Sequence, residues 1–183
     1  PSLFNVLGAG PAIGWAHDGD SVVQINTARY GADGPGNAAY SLVVGPGGVD
    51  SGVDTTDGHS VWLYQGPNGI IVGREGSGAD GSTPNPAGAI IFAISIDSDG
   101  ELTVVQYDSL HHPISPNEFD EDIGLNTEAL QVKLTLTDAD GDSASDTANI
   151  GNLVRFDDDG PKAKISATGN SVQHDETAGV QNP

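Results

Sequence analysis

Three carboxylates alternate within the stretch TDADGDSASD, residues 137–146. Asp138, Asp140 and Asp142 surround a turn over residues 139–141, and the turn folds their side chains towards a common point. Carboxylate oxygens that converge in this way are suited to a hard cation such as calcium. The sequence therefore predicts a calcium site at this turn. The alternative is a two-residue Asp-Gly hairpin turn whose Asp side chains are only solvated.

The spacing in this stretch differs from that of an EF-hand loop. Gly141 stands at the fourth position instead of the sixth, and Asn149 stands at the twelfth, where an EF-hand loop has Glu. Strands are also predicted on both sides, where an EF-hand has helices. The expected site is therefore a calcium-binding turn between strands.

A second acidic stretch, FDDDGP, contains Asp157, Asp158 and Asp159 in succession. Successive side chains of an extended chain point to opposite sides, and without a counterion these carboxylates would repel one another. A bound cation would replace repulsion by coordination and stiffen the junction. Pro161 disfavours helix at Gly160 and begins a new segment. The alternative is an acidic, solubilising linker.

Two further acidic stretches are secondary candidates. IDSDGELTV contains Asp97 and Asp99 in the same kind of turn, but with fewer ligands, and a plain hairpin explains it well. NEFDEDIG, residues 117–124, is a charge run of the kind that usually forms a solvated loop, although it could complete the shell of a neighbouring ion.

Nothing in the sequence indicates catalysis. The five histidines lack the spacing of a helical zinc-protease motif, and neither a nucleophile elbow nor a phosphate-binding glycine loop occurs. The chain is therefore predicted not to be an enzyme. Four aromatic residues could form a sugar-binding platform or belong to the core, and the sequence does not separate these readings: Trp15, Trp62, Tyr64 and Tyr107.

The charge balance points to cations as partners. The 183 residues include 26 acidic and 6 basic side chains, for a net charge of −20. Such a chain repels phosphate backbones and anionic lipid surfaces, so neither nucleic acid binding nor membrane insertion is expected. Cysteine is absent, which excludes disulfides and thiolate metal sites. Metal ions could then stabilise the fold in place of disulfides.

Short runs with two-residue apolar periodicity predict an all-β fold, an antiparallel β-sandwich of Ig-like or related elaborated type with long Gly/Asp-rich loops. Residues 31–37, 45–58 and 76–88 are predicted to be surface loops, and residues 115–130 an acidic loop with at most one helical turn, capped by Asn126 or Thr127. The predicted strands are 21–30, 38–45, 60–65, 69–75, 89–96, 101–107, 130–137 and 146–150.

The order of several short motifs resembles a long tandem repeat module of giant type I-secreted RTX adhesins. The motifs are IGWA, TTDGHSVWLYQ, NGIIVGRE, IFAISIDSDGELTVVQYDSLHHP, LTLTDADGDSASDTANIG, FDDDGP and HDETAGVQ, and together they cover nearly the whole chain. Each motif is weakly specific alone, whereas their order and spacing are specific.

The resemblance implies a calcium-stabilised extender module of a large secreted bacterial adhesin that supports cell-surface adhesion and biofilm formation. Its partners would be neighbouring repeat modules of the same chain. In that pattern DDDGP ends one module and DETAGVQ starts the next. Residues 1–161 would then form the sandwich module, and residues 162–183 an inter-module linker and the start of the next repeat, which could contribute a strand.

The same resemblance suggests calcium ligands where the motifs match: Asp138, Asp140, Asp142, Asp157, Asp158 and Asp159, with Asp97, Asp99, Asp175 and Glu176 as secondary candidates. One alternative function is a calcium-dependent adhesion module that binds a glycan or peptide ligand. Another is a hydrolase, which would need a deep pocket with a perturbed acid pair.

Overall fold

The structure is a computed structural model, and it describes residues 2–26, 28, 30–114, 121–158 and 163–170. Within these residues the strands are β1 (Gly14–His17), β2 (Pro35–Val43), β3 (Val49–Asp54), β4 (Ser60–Gln65), β5 (Ile71–Glu75), β6 (Ile90–Ile96), β7 (Leu102–Gln106), β8 (Asp122–Gly124), β9 (Gln131–Asp138), β10 (Ser143–Asn149) and β11 (Arg155–Asp157). Short 3-10 helices span Ser2–Leu7, Thr127–Ala129 and Gly151–Leu153, and a tight turn spans Pro67–Gly69.

The larger layer is a six-stranded antiparallel sheet in the order β1-β7-β6-β5-β4-β3. Short connections rich in turn residues join β3 to β4, β4 to β5 and β6 to β7. Between β4 and β5, Asn68 and Gly69 both have positive φ, 55° and 77°, as a type I′ hairpin turn requires. Alternation along β4 buries Val61 and Leu63 and leaves Trp62 on the other face.

The second layer consists of a three-stranded sheet, β10-β9-β2, and a short β8–β11 pair. Leu42 of β2 and Val132 of β9 pack against the inner face of the six-stranded sheet, and Phe156 of β11 lies 5.0 Å from Phe92 between ring centroids. Both layers are antiparallel and share one apolar core. The prediction of an all-β sandwich is confirmed.

A smaller apolar cluster covers part of the opposite face of the large sheet. Phe4, from the 3-10 helix Ser2–Leu7, packs there on Ile70, Val72, Ala93 and Val105. Together the two clusters bury the six-stranded sheet on both faces near its centre. No helix among the described residues is long and apolar enough to span a membrane.

The predicted strand at 21–30 is wrong. Its described residues cross the end of the sheet, where the Val22 amide donates to the Gly100 carbonyl in the β6–β7 turn at 3.0 Å. Val22 and Val23 are adjacent, and both pack against the core, which the alternating side chains of a strand do not allow.

The prediction of a surface loop at 45–58 missed the strand β3, whose sequence does not alternate clearly between apolar and polar residues. Ser51 and Val53 are buried at alternate positions, whereas Gly52 has φ of +82° at an irregularity in the β3–β4 register. The Asp50 carboxylate accepts the Gly52 amide at 2.9 Å. Because Gly and Asp occupy this bulge, the sequence of β3 has the composition of a loop.

The single turn predicted near Asn126 is confirmed as the 3-10 helix Thr127–Ala129.

Candidate metal centre

The turn between β9 and β10 is held closed by its first residue, Asp138. The Asp138 amide donates to the Asp142 carbonyl at 2.9 Å. The Asp138 Oδ1 atom accepts the Gly141 amide at 3.1 Å and the Asp142 amide at 2.8 Å. Gly141 has φ of +103°, which favours a residue without a Cβ atom. The hairpin predicted from the sequence is therefore present, and Asp138 stabilises it directly.

The loop before β2 brings a third carboxylate to this turn. The Ala139 amide donates to the Gly34 carbonyl at 3.3 Å, which ties the two segments together. As a result, one carboxylate oxygen from each of Asp33, Asp138 and Asp140 lies within 4.8 Å of the others. Asp33 and Asp140 are exposed, and Asp138 is half-buried. This group, Asp33, Asp138 and Asp140, is called the acidic cluster below.

Close backbone packing positions the Asp33 loop. β2 pairs with β9, and its register shifts between Pro35 and Asn37. A Cβ atom on Gly36, inside this irregularity, would lie 2.5 Å from the carbonyl oxygens of both Thr137 and Asp138. Only glycine allows the start of β2 to approach the end of β9 so closely. The acidic cluster thus depends on a contact between residues far apart in the sequence.

The electrostatics of the cluster favour a cation. A hydrogen bond with the Asp140 carboxyl lowers the pKa of Asp138, burial opposes this effect, and the backbone amides of the turn lower the pKa further. Negatively charged carboxylates held this close together repel one another, and a bound cation would offset that repulsion. A hollow of about 180 Å³ beside the cluster is lined in part by Tyr30 and Asp142.

The donor set fits calcium. Carboxylates are hard oxygen ligands, and calcium accepts six to eight oxygens, so carbonyl groups and water would supply the remaining ligands. The hollow next to the cluster provides space for water. Asp33, Asp138 and Asp140 are the residues that would hold the ion. Calcium would supply positive charge and cross-link the loop before β2 to the β9–β10 turn.

A family model that describes a domain of unknown function, DUF5801, matches residues 12–151 of the chain. The chain belongs to the DUF5801 family. No curated protein and no solved structure gives a significant match. All three members of the acidic cluster lie inside the stretch that matches DUF5801. Asp157 and Asp158 lie beyond its end.

Asp142, predicted as a ligand of the same turn, is not part of the cluster in this DUF5801 domain. Its amide and carbonyl close the turn through Asp138, and it lines the neighbouring hollow. The structure therefore brings together two of the three carboxylates predicted for this turn and adds Asp33. The sequence GADGPGN was predicted only to be a surface loop. No local sequence pattern indicates that it lies beside the β9–β10 turn.

The β6–β7 turn repeats the local geometry without the cluster. The Asp97 amide donates to the Glu101 carbonyl at 3.1 Å, and Asp97 Oδ1 accepts the amides of Asp99 at 2.9 Å and Glu101 at 3.0 Å. Within the described part of the chain, no third carboxylate joins Asp97 and Asp99 to form a potential metal site. This turn is consistent with the plain hairpin predicted as the alternative to a metal site.

The FDDDGP junction is partly described. Asp157 ends β11 opposite Asp122 of β8, and the Asp158 amide donates to the Glu121 carbonyl at 2.9 Å. Arg155 forms an ion pair with Asp122. The side-chain hydrogen bond from Arg155 to the Asp122 carboxylate is the main reason that the pKa of Asp122 is lowered. Among the described residues, neither Asp157 nor Asp158 belongs to a metal-like cluster. Asp159, Asp175 and Glu176 lie outside the described residues, so a site shared with them stays a prediction.

Proposed function

We propose that this DUF5801 domain is a calcium-stabilised structural module of a large secreted bacterial adhesin of RTX type, an extender that separates functional parts of the protein from the cell surface. One observation carries the proposal. The carboxylates of Asp33, Asp138 and Asp140 converge within 4.8 Å from two separate parts of the chain. The resemblance of the sequence motifs to adhesin repeats supplies the biological setting.

Calcium would act beside a strand that has no buried residue. Every residue of β10 is exposed, so this edge strand contributes little to the core. An ion bound to the acidic cluster would connect the loop before β2 with the β9–β10 turn and remove the mutual repulsion of the three carboxylates. Because the cluster requires the folded arrangement of β2 and β9, calcium binding would stabilise the folded state over the unfolded chain.

This coupling suits an exported structural protein. In a low-calcium cytosol the module would be less stable, and it would gain stability after export into a medium rich in calcium. The perturbed carboxyl groups support a structural role as well. Among the described residues, the carboxyl pKa values that depart from normal, those of Asp80, Asp122 and Asp138, are all lowered. A general acid near neutral pH would need a raised pKa.

The direct test is thermal unfolding of the intact chain in calcium, in magnesium and in EDTA. If calcium is present at about a hundredfold excess over its dissociation constant, the stabilisation is about 2.7 kcal/mol. For a chain of this size that corresponds to a rise in Tm of about 5–11 °C over EDTA. Magnesium should give a smaller rise, because it requires stricter octahedral geometry.

Matched variants locate the effect. Asp33→Asn and Asp140→Asn should each remove most of the calcium-dependent rise in Tm. Asp99→Asn is the control, because the β6–β7 turn has the same local geometry but no third carboxylate within the described residues. A wild-type chain with the same Tm in calcium and EDTA would contradict the proposal. Equal calcium responses in Asp99→Asn and Asp140→Asn would move the site away from the acidic cluster.

A further inference from the structure

Among the strands that the structure describes, β1 has a partner on only one side. β1 pairs with β7 and lies at one edge of the six-stranded sheet, with no described strand on its outer side. The Asp18 amide donates to the Leu102 carbonyl at 3.1 Å, which fixes the alternation of the ladder. By that alternation, the backbone N–H and C=O groups of Trp15 and His17 point away from β7. These backbone groups are therefore oriented to pair with an added strand.

The other sheet edges carry features that oppose strand pairing. At the β3 edge, the Ser51 carbonyl accepts the Asn126 amide at 2.7 Å, and the Asp54 carbonyl accepts the His111 amide at 2.8 Å. β2 begins with Pro35 and a register irregularity, and β10 is polar and contains Asp146. Proline, bulges, charge and covering segments are the usual protections of an edge. The four residues of β1, GWAH, include neither proline nor an acidic side chain.

A groove of about 400 Å³ runs beside β1 and is suited to the side chains of an added strand. Gly14 and Ala16 lie on one face of β1 and are small, which leaves space above the groove. The groove continues over Val104 of β7 to Val154 and Phe156. Side chains of a paired strand that point to this face would therefore meet an apolar surface.

Trp15 offers a contact on the opposite face of β1. Its register partner is Val105, and Trp15 is 61% exposed. Two of the other aromatic residues considered as a sugar platform have structural roles. Trp62 donates its indole N–H to the Gly81 carbonyl at 2.9 Å, and Tyr107 packs on the smaller apolar cluster. One exposed indole therefore stands at an unprotected edge.

The charges around the groove define the partner further. Asp18 and Asp157 line the groove, and Glu101 lies close by, paired with the His17 ring at 3.2 Å. Arg155, which also lines the groove, is already paired with Asp122. With a net charge of −20 on the whole chain, the groove favours a cationic group.

We propose that β1 is a docking site for an extended peptide strand with apolar side chains at alternate positions and a basic residue at one end. The backbone groups of Trp15 and His17 would hydrogen-bond to the added strand. The apolar groove would receive side chains on one face, Trp15 would contact the side chains on the other, and Asp18 and Asp157 would attract the basic end. This site goes beyond the proposed structural function and does not depend on calcium at the acidic cluster.

The test uses the full chain and the synthetic peptide acetyl-KVTVTVT-amide as the probe. Residue-resolved hydrogen exchange by NMR should show that the probe slows exchange of the Trp15 and His17 amides by about tenfold or more at saturation. The peptide KVTPTVT lacks a central N–H donor and should protect far less. The peptide EVTVTVT has the opposite charge at its end and should bind more weakly, with a difference that shrinks at high salt.

Variants separate this site from other surfaces. Trp15→Ala should weaken binding of the probe by up to about tenfold, the scale of one aromatic contact. Ile25→Ala is the matched control, because Ile25 is a partly exposed apolar residue in a separate, larger groove of about 540 Å³. Ala16→Lys should block docking by placing a charge on the edge strand.

Three results would overturn the proposal. The first is an absence of protection at Trp15 and His17 with the probe. The second is a neutral oligosaccharide such as cellohexaose that shifts the Trp15 indole signal without amide protection, which would identify a sugar platform. The third is protection that grows with protein concentration in the absence of peptide, which would identify a second copy of the chain as the partner.

Discussion

The substitution Gly36→Ala tests how the acidic cluster is assembled. The added Cβ atom would lie 2.5 Å from two carbonyl oxygens, those of Thr137 and Asp138. Close carbon–oxygen contacts in proteins are about 3.3–3.6 Å, so the start of β2 and the end of β9 would have to separate by about 1 Å. Gly36 has no left-handed φ, so the effect would come from crowding and not from backbone strain.

Two consequences follow, and they have different sizes. Overpacking of this kind costs about 1–3 kcal/mol, which corresponds to a fall in Tm of about 2–12 °C in EDTA. The separation would also move Asp33, three residues earlier, away from Asp138. Calcium–oxygen distances vary only between about 2.3 and 2.6 Å, so a displacement of about 1 Å should remove at least half of the calcium-dependent rise in Tm.

The assay is thermal unfolding monitored by circular dichroism in EDTA and in saturating calcium. Gly10→Ala is the control, because its added Cβ atom would meet no atom within 4 Å and its φ is not left-handed. That variant should match the wild type in both conditions. If Gly36→Ala unfolds at the wild-type temperature and keeps the full calcium response, close packing of β2 on β9 does not assemble the cluster.

Two other predictions concern the core and the β8–β11 pair. Phe92 is fully buried against Gly73 and Phe156, so Phe92→Ala should cost about 3–5 kcal/mol in urea unfolding, and a loss below about 1 kcal/mol would contradict the assigned core. In EDTA, Tm should fall as the pH drops below about 4. The pKa of Asp122 is lower in the folded state than in the unfolded chain, so the ionised carboxylate stabilises the fold above the ordinary Asp pKa. This stabilisation is lost as the pH falls through the folded-state pKa. Asp122→Asn should reduce that fall, and an unchanged acid response would exclude the Arg155 pair as a contributor.

Local signals predicted the hairpins well, because the residues that set a tight turn are adjacent in the sequence. The Asn68-Gly69 turn and the turn at Asp138 both place glycine where φ is positive. Pairing between distant segments was harder to predict. β1 and β11 have four and three residues, too few to show an alternating pattern, and each is defined by a partner far along the chain. The buried face of β3 was concealed by the Gly and Asp residues of its bulge.

The acidic cluster shows the same division between local and distant information. Asp138 and Asp140 were predicted as ligands because they share one turn. Asp142 was predicted as a ligand for the same reason. Hydrogen bonding explains why Asp142 differs: its backbone closes the turn on Asp138, whereas its carboxylate is not required there. Asp33 joins the cluster only because Gly36 lets β2 approach β9. A stretch such as GADGPGN therefore becomes informative once its strand partner is known. Among the described residues, the two D-x-D-G turns differ because a loop brings a third carboxylate to one of them and not to the other.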